Sequence, residues 1–203
     1  AIGSGSRTAN CETTLIIPVA VHYAFAFKDV VNTQCLVDAA VAQVDALNRD
    51  FLGRNKDISK LQDFLSTCNG AYDLSPITQN TCLKFCLAKF DHPSEFGLQE
   101  GDFAVTINKY IDNHSSVFSY PELNGYLNIF VVNNNHRNYR GIFGLALTGA
   151  GSTADGDGIL IKAEVFGGKG VVCDLPLTSL RDNVDINVNT RFNLGRTVTH
   201  EVG

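Results

Sequence analysis

The sequence predicts an α/β domain in which helices pack against a mostly parallel sheet. The elements follow one another as a strand, a helix, three or four strands and a second helix, which is typical of this class. The first strand is almost continuously apolar, as strands buried on both faces of a parallel sheet are. The chain has 203 residues, 44% of them hydrophobic, which suits one domain with a substantial core.

The first strand is predicted at residues 15–27, LIIPVAVHYAFAF, which are rich in β-branched and aromatic side chains. Pro18 has no N–H to give to a sheet, so we expect it near the start of this strand. His22 lies inside the strand. A lone histidine there is more often a hydrogen-bonded core residue than a ligand.

The first helix is predicted at residues 34–51, with Thr33 as N-cap and Gly53 as the stop signal. Its apolar residues recur at steps of three and four. They are Leu36, Ala40, Val44, Leu47 and Phe51. Polar residues occupy the other faces of this helix, namely Asp38, Gln43, Asp45, Arg49 and Asp50.

The remaining elements follow from shorter patterns. Further strands are predicted at 82–90, 126–132, 142–147 and 159–166, with a short helix at 58–65 and a loop at 91–101. A further helix is predicted to start at Asn193, a candidate N-cap.

Charge and hydropathy exclude two classes of partner. Lys and Arg number 16 against 21 Asp and Glu, which gives a net charge of −5. A mildly acidic chain without basic runs predicts no binding to nucleic acid or to anionic membranes. No apolar stretch approaches the roughly 18 residues that a membrane span needs.

The six cysteines favour disulfide bonds in an oxidising compartment, so we expect a secreted protein. Six cysteines allow 15 pairings. The alternative is that they are buried free thiols of a cytosolic protein. A structural zinc knuckle is disfavoured, because Cys82 and Cys86 are too widely spaced and no second pair repeats the spacing.

His200 and Glu201 are the residues whose setting predicts chemistry. On a helix, a histidine followed by glutamate places a first zinc ligand beside a general base, and a second histidine belongs one turn later. That second histidine would directly follow Gly203. A bare His-Glu pair is common by chance, and the alternative is a solvated helix face. The other three histidines, His92, His114 and His136, are predicted to be solvated.

Other chemical patterns are weaker. The segment from Asp155 to Gly158, DGDG, looks like a short calcium loop, but a complete loop needs further acidic residues, so a glycine-rich turn is favoured. The sequence contains no G-x-S-x-G nucleophile elbow and no phosphate-binding glycine-rich loop.

Taken in order, seven blocks of the sequence resemble the pappalysin family of metzincin zinc endopeptidases. They are IPVAVHYAF (17–25), QVDALNRDF (43–51), LKFCLAKFDHP (83–93), GYLNIFVV (125–132), GLAL (144–147), DGILIKAEVFG (157–167) and NLGRTVTHEVG (193–203). The resemblance covers nearly the whole chain and is weakest at 52–81 and 168–190.

The resemblance implies the fold of a metzincin upper subdomain. This is a mixed, mostly parallel five-stranded sheet with an antiparallel edge strand, a backing helix and the start of the active-site helix. It also implies that an extended substrate peptide pairs with the edge strand, which consists of Phe143, Gly144, Leu145, Ala146 and Leu147.

For the chemistry, the resemblance implies His200 as the first zinc ligand and Glu201 as the general base of a zinc-dependent endopeptidase. The family signature, H-E-x-x-H-x-x-G-x-x-H with a later methionine turn, would continue beyond residue 203, and the chain has no methionine. We therefore expect residues 1–203 to be the N-terminal part of a catalytic domain. We expect this part to lack two zinc ligands and to be inactive alone. Calcium is a further candidate cofactor of the full-length protein.

Two alternatives stay open. The fold could serve as a non-catalytic module that captures extended peptides along its edge strand, or as a disulfide-bonded structural domain in which His200-Glu201 is a coincidence. Cys11, just before the first strand, could be a zinc-blocking cysteine, but it lies so close to the domain core that a structural disulfide is favoured.

Overall fold

A computed structural model describes residues 13–24, 27–28, 32–55, 80–92, 94, 97–108, 125–132, 142–147, 158–167 and 195–202, together with positions 60, 63 and 67. The elements are β1 Leu15–Ala24, α1 Thr33–Phe51, β2 Leu83–Leu87, β3 Val105–Asn108, β4 Leu127–Val132, β5 Gly144–Leu147, β6 Gly158–Lys162 and α2 Arg196–Val202. Several predicted features lie outside the described residues. They are Cys11, His114, His136, the acidic pair at 155 and 157, the Asn193 cap and most of the helix at 58–65.

The strands form one sheet in the order β2-β1-β4-β6-β5, and β3 also pairs with β1. Every pairing is parallel except that of β5 with β6, which is antiparallel and puts β5 at the edge. The predicted mixed sheet with an antiparallel edge is therefore confirmed.

The predicted number of five strands was wrong by one, because β3 was missed. β2 pairs with β1 from Leu15 to Val19, and β3 pairs with it from Val21 to Ala24. The two short strands thus share one position in a sheet that is five positions wide. β3 has four residues, too few for its alternation to stand out from the loop predicted before it.

Pro18 lies in the first half of β1, as predicted. Leu15 N donates to Cys82 O at 3.0 Å, and Ala88 N donates to Val19 O at 3.0 Å. The main-chain groups of odd-numbered β1 residues therefore bond to β2. Those of even-numbered residues, including the nitrogen of Pro18, face β4 on the other side. Because pairing with β4 begins only at Val19, the proline removes no ladder bond there.

Both ends of α1 have recognisable caps. The N-cap is Asn32, whose side chain accepts from Gln34 N at 2.8 Å, so the prediction of Thr33 was wrong by one residue. At the other end, Gly53 has φ +64° and donates to Asp50 O, while Arg54 N donates to Arg49 O at 2.8 Å. This pair of bonds is a Schellman motif, and the predicted stop at Gly53 is confirmed.

The core lies between α1 and the sheet. Its fully buried members include Val19, Val21, Leu47, Phe85 and Ile161. Asn48 of α1 joins the helix to β2, because its side-chain amide donates to Phe85 O and accepts from Phe85 N, both at 2.8 Å. The strand predicted at 159–166 ends at Lys162 and continues as a 3₁₀ turn over Ala163–Val165.

His22 is a core residue, as predicted. Its ring is 2% exposed and stacks on Phe130 with 5.0 Å between the ring centroids. Its Nδ1 lies 2.7 Å from Thr106 Oγ1 and its Nε2 3.2 Å from Asn128 Oδ1, so the ring joins β1 to both β3 and β4. Burial lowers the pKa of His22 to about 4, against a smaller upward effect of the Asn128 hydrogen bond.

His92, predicted to be solvated, is only partly exposed. Its Nε2 lies 2.9 Å from Asp102 O, so the imidazole bridges two parts of the loop between β2 and β3. Its Nδ1 is buried. The sequence signal was ambiguous, because a histidine before a proline marks a loop but says nothing about how the loop folds on itself.

Two of the described cysteines, Cys35 and Cys82, are disulfide-bonded, and their pairing lies outside the described residues. Cys86 is a free thiol, so the six cysteines do not all pair. No helix in the described part of the chain is both long enough and apolar enough to cross a membrane.

Candidate active site

The predicted His-Glu pair lies on α2, and the start of that helix is fixed by close packing against α1. Gly195 precedes α2 with φ +72°, and a Cβ atom there would lie 2.8 Å from Ala46 Cβ. Only glycine meets both conditions without strain. Three residues later, Val198 is fully buried and anchors the first turn of α2 in the core.

Gln43 of α1 ties two distant loops together at the start of α2. Its side chain is fully buried. Its Nε2 donates to Gly195 O at 2.8 Å, and its Oε1 accepts from Gly167 N at 3.1 Å. The sequence placed Gln43 on the polar side of α1, and that assignment was wrong. A buried amide with both ends bonded has no local sequence signal, because its partners lie more than a hundred residues away.

Asp50, two turns further along α1, holds the next turn of α2. Thr199 Oγ1 donates to Asp50 Oδ2 at 2.6 Å, and Arg196 Nε lies 3.6 Å from Asp50 Oδ1. The Asp50 side chain is only 9% exposed, whereas that of Arg196 is 42% exposed. The short hydrogen bond from Thr199 is therefore the stronger contact, and the ion pair with the solvated arginine adds little.

Glu201 reaches the edge strand. Its Oε2 accepts from Ala146 N at 2.9 Å. Lys162 N donates to Phe143 O, and the antiparallel register continues with Gly144 opposite Ile161. In an antiparallel pair every second residue bonds to the partner strand, so the main-chain groups of the odd-numbered residues of β5 bond to β6. The main-chain groups of Gly144 and Ala146 consequently face the outer edge. The structure thus brings together the two predicted parts of the site, the glutamate and the edge strand.

Gly144 makes room for this contact. A Cβ atom at this position would lie 3.0 Å from both Cγ and Oε1 of Glu201, and 3.0 Å from Ile161 Cδ1. Such distances are shorter than ordinary van der Waals contact, so any larger residue would push the carboxylate away from the strand.

His200 lies between these contacts and is exposed to solvent. The described residues contain no group of three or more His, Cys, Asp or Glu side chains that could hold a metal ion. A catalytic zinc site uses three protein ligands. His200 beside Glu201 fits the first ligand of such a site, and the other ligands would have to come from outside the described residues.

We expect Gly144→Ala to impair the site while leaving the fold almost as stable. The added methyl group displaces the flexible Glu201 side chain, and a misplacement of about 1 Å can cost on the order of 100-fold in catalytic rate. The unfolding free energy should change by less than about 1 kcal/mol relative to the parent protein. Urea unfolding and cleavage assays of the whole protein measure the two effects.

Gly158→Ala is the matched control, because Gly158 lies on the neighbouring strand and meets the core instead. A Cβ there would lie 2.6 Å from Phe130 Cε2, so overpacking should cost about 1–3 kcal/mol of stability. If Gly144→Ala destabilises the protein as much as Gly158→Ala does, Gly144 is needed for packing and not for the position of Glu201.

Comparison with solved structures identifies proteins of the same fold. Mature mirolysin of Tannerella forsythia in complex with a cleaved peptide matches 94% of this chain and 62% of its own, with a TM-score of 0.57 and 22% identity. A promirolysin variant from the same organism (TM-score 0.55, 22% identity) and mirolysin bound to a compound (0.55, 23%) also match 94% of this chain. They are covered over 55% and 62% of their lengths.

The likeness shows the metzincin-like fold that the sequence predicted. This chain spans less than two thirds of each matched structure. No protein-family model and no curated protein sequence matches it.

Proposed function

We propose that the chain is part of a zinc-dependent endopeptidase in which Glu201 is the general base and His200 the first zinc ligand. One observation carries the proposal. The carboxylate of Glu201 lies at the outer edge of an antiparallel edge strand, bonded to Ala146 N, with an exposed histidine next to it in the chain. A peptide lying along that edge would have a proton acceptor beside its scissile bond.

The substrate in this proposal is an extended peptide that adds a strand to the sheet along Phe143–Leu147. The main-chain groups of Gly144 and the carbonyl of Ala146 face outward and can pair with a peptide, whereas Ala146 N donates to Glu201. Main-chain pairing tolerates many side chains on the peptide. Gly144 has no side chain to keep the peptide at a distance. The complex of mirolysin with a cleaved peptide supports a peptide substrate for this fold.

In this proposal, Glu201, Ala146 and His200 have different roles at the site. When bound, zinc supplies Lewis acidity to the attacking water and the scissile carbonyl. Oε2 of Glu201 is engaged by Ala146 N, which leaves Oε1 to take the proton of the attacking water and pass it to the leaving amine. His200 offers an exposed imidazole one residue before this base.

The proposal extends to the setting of the protein. We infer a secreted protein, because disulfides form and persist in oxidising compartments and Cys35 and Cys82 are disulfide-bonded. Calcium remains a candidate further cofactor.

A second function is a non-catalytic peptide-binding module. The observation that favours it is the edge strand itself, because the outward main-chain groups of Gly144 can pair with an extended peptide without any metal. The edge strand alone would then capture extended peptides, with Glu201 serving only to hold α2 against β5.

Zinc analysis and a cleavage assay of the whole natural protein that contains this chain distinguish the two functions. We expect about one zinc per molecule, cleavage of a denatured protein substrate, and loss of cleavage with a chelator that zinc restores. A protein that binds peptides without zinc and cleaves nothing is the binding module. A protein that does neither refutes both functions.

A further inference from the structure

Helix α2 is held from two opposite sides, and this fixes its rotation about its own axis. Residues of an α-helix are about 100° apart, so Thr199 and Glu201 point in nearly opposite directions. Thr199 bonds to Asp50 of α1, and Glu201 bonds to Ala146 of β5. His200 lies between them in rotation and is exposed. A turn of the helix would therefore break one contact or the other.

We propose that Asp50 is a positioning residue, which acts through Thr199 to set the direction in which His200 and Glu201 point. The inference rests on the proposed function, since it assigns Asp50 a role only because those two residues act on the substrate. The contact itself, however, can be tested without zinc or substrate.

The other described contacts of α2 constrain its rotation less sharply. Val198 packs one face of the helix into the core and excludes large rotations, but apolar packing is non-directional and permits small ones. Gln43 binds the main-chain oxygen of Gly195, at the very start of the helix, and the helix could still turn about that point. Arg196 is 42% exposed and lies 3.6 Å from Asp50, which makes it a weak constraint. The 2.6 Å bond from Thr199 to a nearly buried carboxylate is one helical turn further on and removes the remaining freedom.

The test is hydrogen exchange of the Ala146 amide, followed by NMR on the whole protein that contains this chain. Thr199→Val keeps the shape of the side chain and removes the donor, and Asp50→Ala removes the acceptor. Both should speed exchange at Ala146 by about tenfold or more, because the bond that they remove involves a charged group. Exchange at Val131, in the core of β4, should stay within about twofold of the parent chain.

Three variants serve as matched controls. Thr199→Ser keeps the hydroxyl, Asp50→Asn keeps an acceptor for it, and Arg196→Gln removes the ion pair with Asp50 and leaves the Thr199 hydroxyl in place. All three should leave exchange at Ala146 within about threefold of the parent chain, since the hydrogen bond to Thr199 survives in each.

Two results would overturn the inference. Unchanged exchange at Ala146 in Thr199→Val would show that Asp50 does not control the position of Glu201. Equal acceleration at Ala146 and Val131 would show that Asp50 stabilises the whole fold instead. In the whole protein, Thr199→Val should also lower kcat with little change in KM. If the parent protein cleaves nothing but exchange changes as expected, the proposed function fails and the positioning role stands.

Discussion

Replacing Glu201 by glutamine should reduce peptide cleavage by about 100-fold to 10,000-fold, the usual contribution of a general base, while zinc stays bound. Glutamine has the same shape, and its side-chain oxygen can still accept from Ala146 N. The variant therefore keeps the carboxamide where the carboxylate was and removes only the ability to take a proton. Zinc content and the steady-state cleavage rate of the whole protein are the measurements.

Asp38→Asn is the matched control for this experiment. It makes the same change of charge on the exposed surface of α1, where Asp38 accepts from the Gln34 side chain. Its cleavage rate should equal that of the parent protein. Unchanged turnover in Glu201→Gln with zinc retained would show that another group accepts the proton, and loss of zinc together with activity would show that Glu201 is needed to assemble the site.

The parts of the site that could be predicted from the sequence are those with local patterns. The first strand, the first helix and the edge strand each carry a run of apolar residues, and His200-Glu201 stands out as a pair on a predicted helix. The structure places Glu201 of this pair against the edge strand.

The residues that hold the site together could not be predicted in this way. Gln43 and Asp50 looked like the solvated side of α1, because period and polarity describe a helix without its neighbours. Their partners, Gly195 and Thr199, lie 152 and 149 residues further along the chain. Only the folded sheet brings those partners to α1. From the sequence alone, a buried polar residue of this helix could therefore not be distinguished from a solvent-exposed one.

The largest expected effect on stability comes from His22, whose pKa in the folded protein is about 4. An unfolded chain protonates this histidine near pH 6.5. Between pH 6.5 and about 4 the unfolded state therefore binds a proton that the folded state does not, and protonation favours unfolding. Stability is fully present above pH 6.5 and falls by about 3 kcal/mol as the pH drops to 4. Urea unfolding at a series of pH values measures this loss.

His22→Gln isolates the contribution of the histidine from that of the carboxylates, which also titrate toward the acid end of the range. Glutamine can donate and accept near Thr106 and Asn128, but it does not take up a proton between pH 4 and 6.5. The variant should be less stable than the parent at pH 7, because it loses the stacking on Phe130, and the difference should shrink or reverse near pH 4. A difference that stays constant with pH would mean that His22 keeps its proton inside the fold. Asn128 and Thr106 would then both have to accept from an imidazolium, which their amide and hydroxyl oxygens allow, and the core around β1 would have to tolerate a buried charge.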